Sequence, residues 1–203
     1  MNERYISLYD RKQVQQAIGR MASEITGLNI DKDPLFVSLL RGAAPFSAQL
    51  MAAIAQQAPD FHPDMDYMIT SNKQDRIVPD STQPEIKLHL DDDSDVNGRP
   101  VIVLDNVLDK GETYAFVRQG LKQMGAASVE LAVLIEKEFK RTNGVKADFV
   151  GLYAPATFLV GMGMTDKAVS EEAFRWEGGI WQVRKDDDLP PQHIQPSSPL
   201  VSA

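Results

Sequence analysis

Residues 101–135 constrain this chain more than any other stretch. Val101, Ile102, Val103 and Leu104 form an unbroken apolar run. A strand this apolar belongs inside a covered sheet rather than half in water. Glu112 to Met124 follows at helical spacing, with Ala115, Phe116, Leu121 and Met124 read as its inward face and Gly125 as its stop. Val129 to Ile135 is the next apolar strand. Strand, helix and strand over this length make a βαβ unit with a right-handed crossover. The expected architecture is therefore α/β, a mostly parallel sheet flanked by helices.

The rest of the chain fits that frame. Asp10 can cap a first helix, with Gln13 at the capping-box position, Val14, Ala17, Ile18, Met21 and Ile25 on one face, and Gly27 as the stop. Leu35 to Leu40 reads as a buried strand, and Phe46 to Gln57 as a helix whose start is favoured by Pro45. Further strands are expected at Tyr67 to Ser71, Ile86 to Leu90, Phe149 to Leu152, Phe158 to Val160 and Ile180 to Val183. The polar stretch 72–83 has no helical period and is long for a loop in a compact domain, which marks it as functional or disordered. The acidic run 91–95 reads as a solvated turn. Residues 1–184 are expected to form one domain, and the Pro-rich segment 185–203 a disordered tail.

Composition removes several function classes. There is no cysteine, so disulfides, thiolate metal sites and cysteine nucleophiles are excluded. A net charge of −8 disfavours binding to a phosphate backbone. No apolar run approaches the roughly 20 residues of a membrane span, and the first residues carry no apolar signal core. A soluble protein of the cytoplasm, with neither nucleic acid nor membrane as partner, is the expectation.

The chemistry gathers after the central strand. Asp105 and Asn106 stand at its C-terminal end, and the loop Asp105 to Gly111 leads into the helix. Ligands of open α/β sheets bind at the C-terminal ends of strands. A helix N-terminus suits a phosphate, and Gly111 lets the backbone curl into an anion nest. A carboxylate and an amide before such a loop can bind sugar hydroxyls, which points to a ribose phosphate. A buried strand that merely ends in Asp and a glycine turn has the same local sequence.

The segment Val101-Ile-Val-Leu-Asp-Asn-Val-Leu-Asp-Lys-Gly-Glu-Thr113 resembles the donor-binding signature of type I phosphoribosyltransferases: an apolar strand, two acidic residues, two apolar residues, then Asp-Thr-Gly-x-Thr. Leu39-Leu40-Arg41-Gly42 is similar to the pyrophosphate loop of the hypoxanthine-guanine members. Asp66-Tyr67-Met68 resembles the strand leading to their flap, and Leu134-Ile135-Glu136-Lys137 their Leu-Leu-x-Lys strand end. The runs 148–155 and 158–163 resemble their purine site. The matches keep their order over roughly residues 5 to 183.

This resemblance implies the type I phosphoribosyltransferase fold, with a flap at about 71–85 and a small hood built from N-terminal residues and about 153–184. It implies transfer of ribose 5-phosphate from phosphoribosyl pyrophosphate to a 6-oxopurine of the hypoxanthine/guanine type, as in purine salvage. Asp105 and Asn106 would bind the ribose hydroxyls. Asp109, Lys110, Gly111, Glu112 and Thr113 would wrap the 5′-phosphate, and Asp109 would also face the purine N7 as proton acceptor. Arg41, Gly42 and Arg175 would take the pyrophosphate. Lys137, Phe158 and Leu159 would hold the base. Mg²⁺ is implied as cofactor, near Asp105 and Asp166, and a homodimer or homotetramer as assembly.

The sequence also departs from the pattern. Asn106 replaces the second acidic residue, Lys110 a threonine, and Thr165 the aspartate that helps hold Mg²⁺, with Asp166 beside it. Glu112 adds a negative charge to a phosphate loop, and 71–74 lacks the usual flap tyrosine. Extra chain separates Met164 from Phe174. These changes leave two alternatives: an enzyme of the same fold with another acceptor, or a catalytically weakened protein that senses nucleotides.

Overall fold

The structure is a computed structural model, and it describes residues 3–70, 86–87, 95–138, 141 and 143–184. The element order is β1 (Tyr5–Tyr9), α1 (Arg11–Asn29), β2 (Leu35–Leu40), α2 (Ala44–Gln57), β3 (Asp64–Thr70), β4 (Ile86–Lys87), β5 (Pro100–Leu108), α3 (Glu112–Gln123), β6 (Ser128–Glu138), β7 (Phe149–Pro155), β8 (Leu159–Val160) and β9 (Ile180–Val183). The expected flap, most of the acidic run and the expected tail lie outside the described residues.

The main sheet has the order β4-β3-β2-β5-β6-β7. Its five strands from β3 to β7 are parallel, and β4 joins β3 antiparallel. Strand alternation divides the core. Phe36, Ile102, Leu104 and Leu134 pack on the side of α1 and α2, while Val37, Val101, Val103, Leu131 and Val133 pack on the side of α3. Both faces are thus covered, as the apolar run at 101–104 requires. Strand order reverses between β2 and β5: the chain steps from β2 outward to β3, then returns to the other flank of β2. That reversal opens a crevice at the C-terminal ends of β2 and β5.

A second sheet, β1-β9-β8, is antiparallel and forms the hood. Tyr5, Phe174 and Trp181 tie it together, with ring centroids 4.5 Å apart for the first pair and 6.1 Å for the second.

Several local expectations change. The Asp10–Gln13 capping box is present, at 2.8 and 2.9 Å. The helix runs past Gly27 to Asn29, because Gly27 faces open space and the buried Asn29 amide donates to the Ile25 carbonyl at 2.9 Å. On α3 the buried residues are Tyr114, Val117 and Leu121, while Ala115, Phe116 and Met124 face outward. Tyr114 can be buried because its hydroxyl donates to the Val129 carbonyl at 3.1 Å. Strand β5 does not stop at Leu104. The β6 ladder continues to pair it through Leu108, so Asp105 and Asn106 lie in strand and the loop shrinks to 109–111. β1 was not foreseen: it is short and partly exposed, with no apolar run to announce it.

Candidate active site

The crevice at the strand-order reversal gathers most of the residues expected to act. From β2 come Arg41 and Gly42, and from β5 and its loop come Asp105 to Gly111. α3 starts at Gly111, whose φ of +81° turns the chain into the helix, and no side chain caps the helix there. Its first backbone N–H groups therefore face the crevice as unclaimed donors, with Thr113 half-buried beside them. Lys110 and Glu112 are exposed, so neither intrudes on that cradle.

Asp105 and Asn106 are neighbours in strand, so they point to opposite faces. Asp105 is half-buried, and burial pushes its carboxyl up to about 7, against lowering bonds from the Asn106 and Val107 amides. The Asn106 amide approaches its Oδ1 to 2.8 Å. Among the described residues no cation approaches this carboxylate, so a hydroxyl pair or a metal ion would complete it. Asn106 is buried, and its Nδ2 donates to the Met162 carbonyl at 3.4 Å. A Cβ added to Gly42 would lie 3.1 Å from the Asn106 Oδ1, and one added to Gly163 would lie 1.8 Å from the Gly42 carbonyl. Asn106 therefore braces the hood against the Arg41–Gly42 loop. Strand alternation leaves the Asp105 carboxyl on the other face.

A second group stands at the ends of β5 and β6. Lys137, at the end of β6, forms an ion pair with Asp109 at 2.8 Å. Lys137 is largely buried, with its side chain 13% exposed, while that of Asp109 is 52% exposed. Phe158 presents its ring to solvent at 57% exposure, the posture of an aromatic platform. Its carbonyl accepts from the Val183 amide at 2.9 Å. Because that group turns toward β9, the Leu159 N–H turns the other way, toward the open edge of β8. The Leu159 side chain is buried, so only its backbone is offered.

Two expected residues are placed otherwise. Asp166 is buried in the hood, where its carboxylate accepts from Tyr5 Oη at 2.9 Å and from the Ala168 amide at 3.1 Å and pairs with Arg4 at 3.4 Å. These partners spend the oxygens a metal would need. Arg175 is also buried: it donates to the Gly163 carbonyl at 3.1 Å and to Glu172, and so holds the hood turn under the crevice. Arg41 is exposed and reaches the same Glu172 at 3.4 Å. The two arginines hold the Glu172 carboxyl below its ordinary range, Arg175 more strongly. Among the described residues no group of three acidic or histidine side chains could hold a metal. The donor set fits a hard cation held by the Asp105 carboxylate and mainly by oxygens of a phosphorylated ligand.

Sequence reasoning missed Glu172, Gly163 and the segment 141–145. Gly163 stood within a quoted motif, but its contact with Gly42 is visible only in three dimensions. Nothing in the sequence around Arg141 marks it, because its acceptors include backbone carbonyls of a distant loop and of Lys137.

Comparisons agree with this geometry. The phosphoribosyl transferase domain family matches residues 5–167. The chain is similar to the hypoxanthine-guanine phosphoribosyltransferase of Bacillus subtilis, with 30% identity over 157 residues, 77% of this chain and 83% of that one. The enzyme of the same name from Streptococcus thermophilus is 31% identical over the same shares. Among solved structures, a hypoxanthine phosphoribosyltransferase from Trypanosoma cruzi superposes with a TM-score of 0.76 at 19% identity, covering 91% of this chain and 94% of that one. One from Staphylococcus aureus gives 0.74 at 22%, covering 88% and 92%. The strand-order crevice, the uncapped helix over Gly111 and the matched sequence lead to one assignment: the chain belongs to the phosphoribosyltransferase family.

Proposed function

We propose that the chain transfers ribose 5-phosphate from phosphoribosyl pyrophosphate to a 6-oxopurine such as hypoxanthine or guanine, releasing pyrophosphate. The observation that carries this is the juxtaposition of a phosphate cradle with a base site. The uncapped start of α3 and the Asp105 carboxylate stand beside the Lys137–Asp109 pair, whose aspartate lies on the loop between β5 and α3. The N–H groups after Gly111 and the Thr113 hydroxyl take the 5′-phosphate. Asp105 orients the ribose hydroxyls. Arg41 and Gly42 receive the pyrophosphate, while Arg175 supports that loop from below through Gly163.

On the base side, Lys137 donates to the exocyclic oxygen of the purine, which a 6-amino base cannot accept. Phe158 covers the ring, and the open edge of β8 meets the base edge with the Leu159 backbone. Asp109, already within hydrogen-bond distance of Lys137, accepts the proton that leaves N7 as the bond from ribose to the base nitrogen forms. Electron density moves from the base nitrogen to the ribose carbon, and pyrophosphate departs with the bonding pair. Mg²⁺ would neutralise the leaving pyrophosphate, held on the protein side by Asp105. Residues 1–184 acting as one domain, a cytoplasmic setting and a homodimer or homotetramer belong to this reading and rest on family likeness. No described helix is long and apolar enough to cross a membrane.

The test is turnover. Purified protein with phosphoribosyl pyrophosphate and Mg²⁺ should form nucleotide with hypoxanthine or guanine and not with adenine. Asp109→Asn should lose about 100-fold or more in kcat, the scale of a positioned proton acceptor. A folded protein that binds the donor but turns over none of these bases would overturn the proposal.

A further inference from the structure

Between β6 and β7, Arg141, Asn143 and Val145 lie against residues 108–111. Arg141 has a side chain only 7% exposed, and its guanidinium meets these acceptors among the described residues. Nε donates to the Asp109 carbonyl at 2.6 Å, and Nη2 to the Leu108 carbonyl at 3.1 Å and the Lys137 carbonyl at 2.9 Å. Nη1 pairs with the Glu136 carboxylate, itself largely buried. Asn143 continues the contact, donating to the Lys110 carbonyl at 2.9 Å. Val145 closes it: a Cβ on Gly111 would lie 2.9 Å from its side chain. Each residue from Leu108 to Gly111 is thus met by Arg141, Asn143 or Val145.

From this geometry we infer that Arg141 is a positioning residue, fixing Asp109 and Lys137 relative to each other by gripping the backbone of both. The inference rests on the phosphoribosyl-transfer reading above. The two side chains that meet the base come from different strands, β5 with its loop and β6. Their 2.8 Å pairing alone would let both drift together. A guanidinium fixes the backbones beneath them because its planar fork offers five donors in set directions. An ammonium cannot span the same carbonyls. The charge is also in place: Glu136 neutralises Arg141 locally, so the fork holds the loop without adding net positive charge beneath Asp109. A cavity of about 620 Å³, lined in part by Glu136, Arg141, Lys146, Asp148 and Tyr153, opens onto the guanidinium. A small cation can therefore reach the place that a truncated side chain would vacate.

The variants are Arg141→Ala, Arg141→Lys and the charge-neutral pair Glu136→Gln with Arg141→Gln, assayed as full chains at a temperature where circular dichroism shows them folded. All three should lose about tenfold to a hundredfold in kcat, the scale of a misplaced catalytic group, with a smaller change in KM for the base. Methylguanidinium should restore part of the activity of Arg141→Ala and none of that of Arg141→Lys. Hydrogen exchange at the amides of 110 and 111 should be faster in every variant. This last measurement needs no substrate, so it separates failure of this inference from failure of the catalytic reading. Variants that keep kcat within twofold and the wild-type exchange rates, losing only thermal stability, would overturn it. So would full activity in the charge-neutral pair, which would reduce Arg141 to a partner for a buried carboxylate.

Discussion

At the residue scale, Asp105 ties chemistry to pH. An unfolded aspartate titrates near 3.8, and burial pushes this one up to about 7 in the folded chain. Between those values the folded chain keeps a proton that the unfolded chain has released. Its stabilising contribution is therefore whole below the unfolded value and is lost as pH rises through about 7. The melting temperature of the wild type minus that of Asp105→Asn should fall from pH 5 to about 7 and level off above it, in the absence of ligand. Parallel melting curves would sink this account. The same two positions show what a sequence can and cannot reveal about a site. The types at 105 and 106 were legible as polar groups at a strand end. Their division of labour was not, because it depends on whether the strand continues past Leu104. Once the β6 ladder holds them in strand, alternation sends the two side chains to opposite faces, that of Asn106 to the hood.

At the element scale, the decisive join is the one between β5 and α3. Gly111 was legible as the residue that turns the chain, and the structure adds two reasons for it. Its φ is +81°, and a Cβ there would meet Val145 at 2.9 Å. A left-handed conformation costs an L-residue roughly 1–2 kcal/mol, and the contact adds to that. Gly111→Ala should therefore be destabilised in denaturant unfolding by about 1–3 kcal/mol. Val145→Ala in the same chain should recover only the part due to Cγ1, because the Val145 Cβ also lies 2.9 Å from the added atom and the backbone strain remains. Equal stability of Gly111→Ala and wild type would refute the argument. The face of α3 was misread for a related reason. Spacing alone allowed Ala115, Phe116 and Met124 inward, yet the helix phase is set by the Gly111 turn and by the Tyr114 hydroxyl finding the Val129 carbonyl. Such a partner is remote from any local pattern. The inner parallel strands β2, β5 and β6, by contrast, were visible as apolar runs, since burial on both faces leaves few other residue types possible.

At the scale of the whole molecule, the hood and the sheet meet at the crevice of the strand-order reversal. Asn106 reaches the Met162 carbonyl, Gly163 lies against the Gly42 carbonyl, Gln49 approaches the Met162 sulfur at 3.5 Å, and Arg41 reaches Glu172. Each of these contacts links a crevice loop or its helix to the turn between β8 and β9. The hood sheet is small, with three short strands, and its own apolar cluster is limited to a few residues around Trp181. Its other face joins the main core through Leu159, Met162, Met164 and Ile180, so the hood depends on that one packed face to stay closed. A donor that fills the crevice binds only when both layers are in place, so it should stabilise the closed arrangement by mass action. Amide exchange in 159–164 and 180–183 should therefore slow on addition of phosphoribosyl pyrophosphate with Mg²⁺, although most of these residues do not touch the donor. Slowing confined to 105–113 would mean that the hood is merely adjacent. Slowing in both would mean that the Gly42–Asn106–Gly163 contact transmits occupancy of the phosphate site to the surface that receives the base.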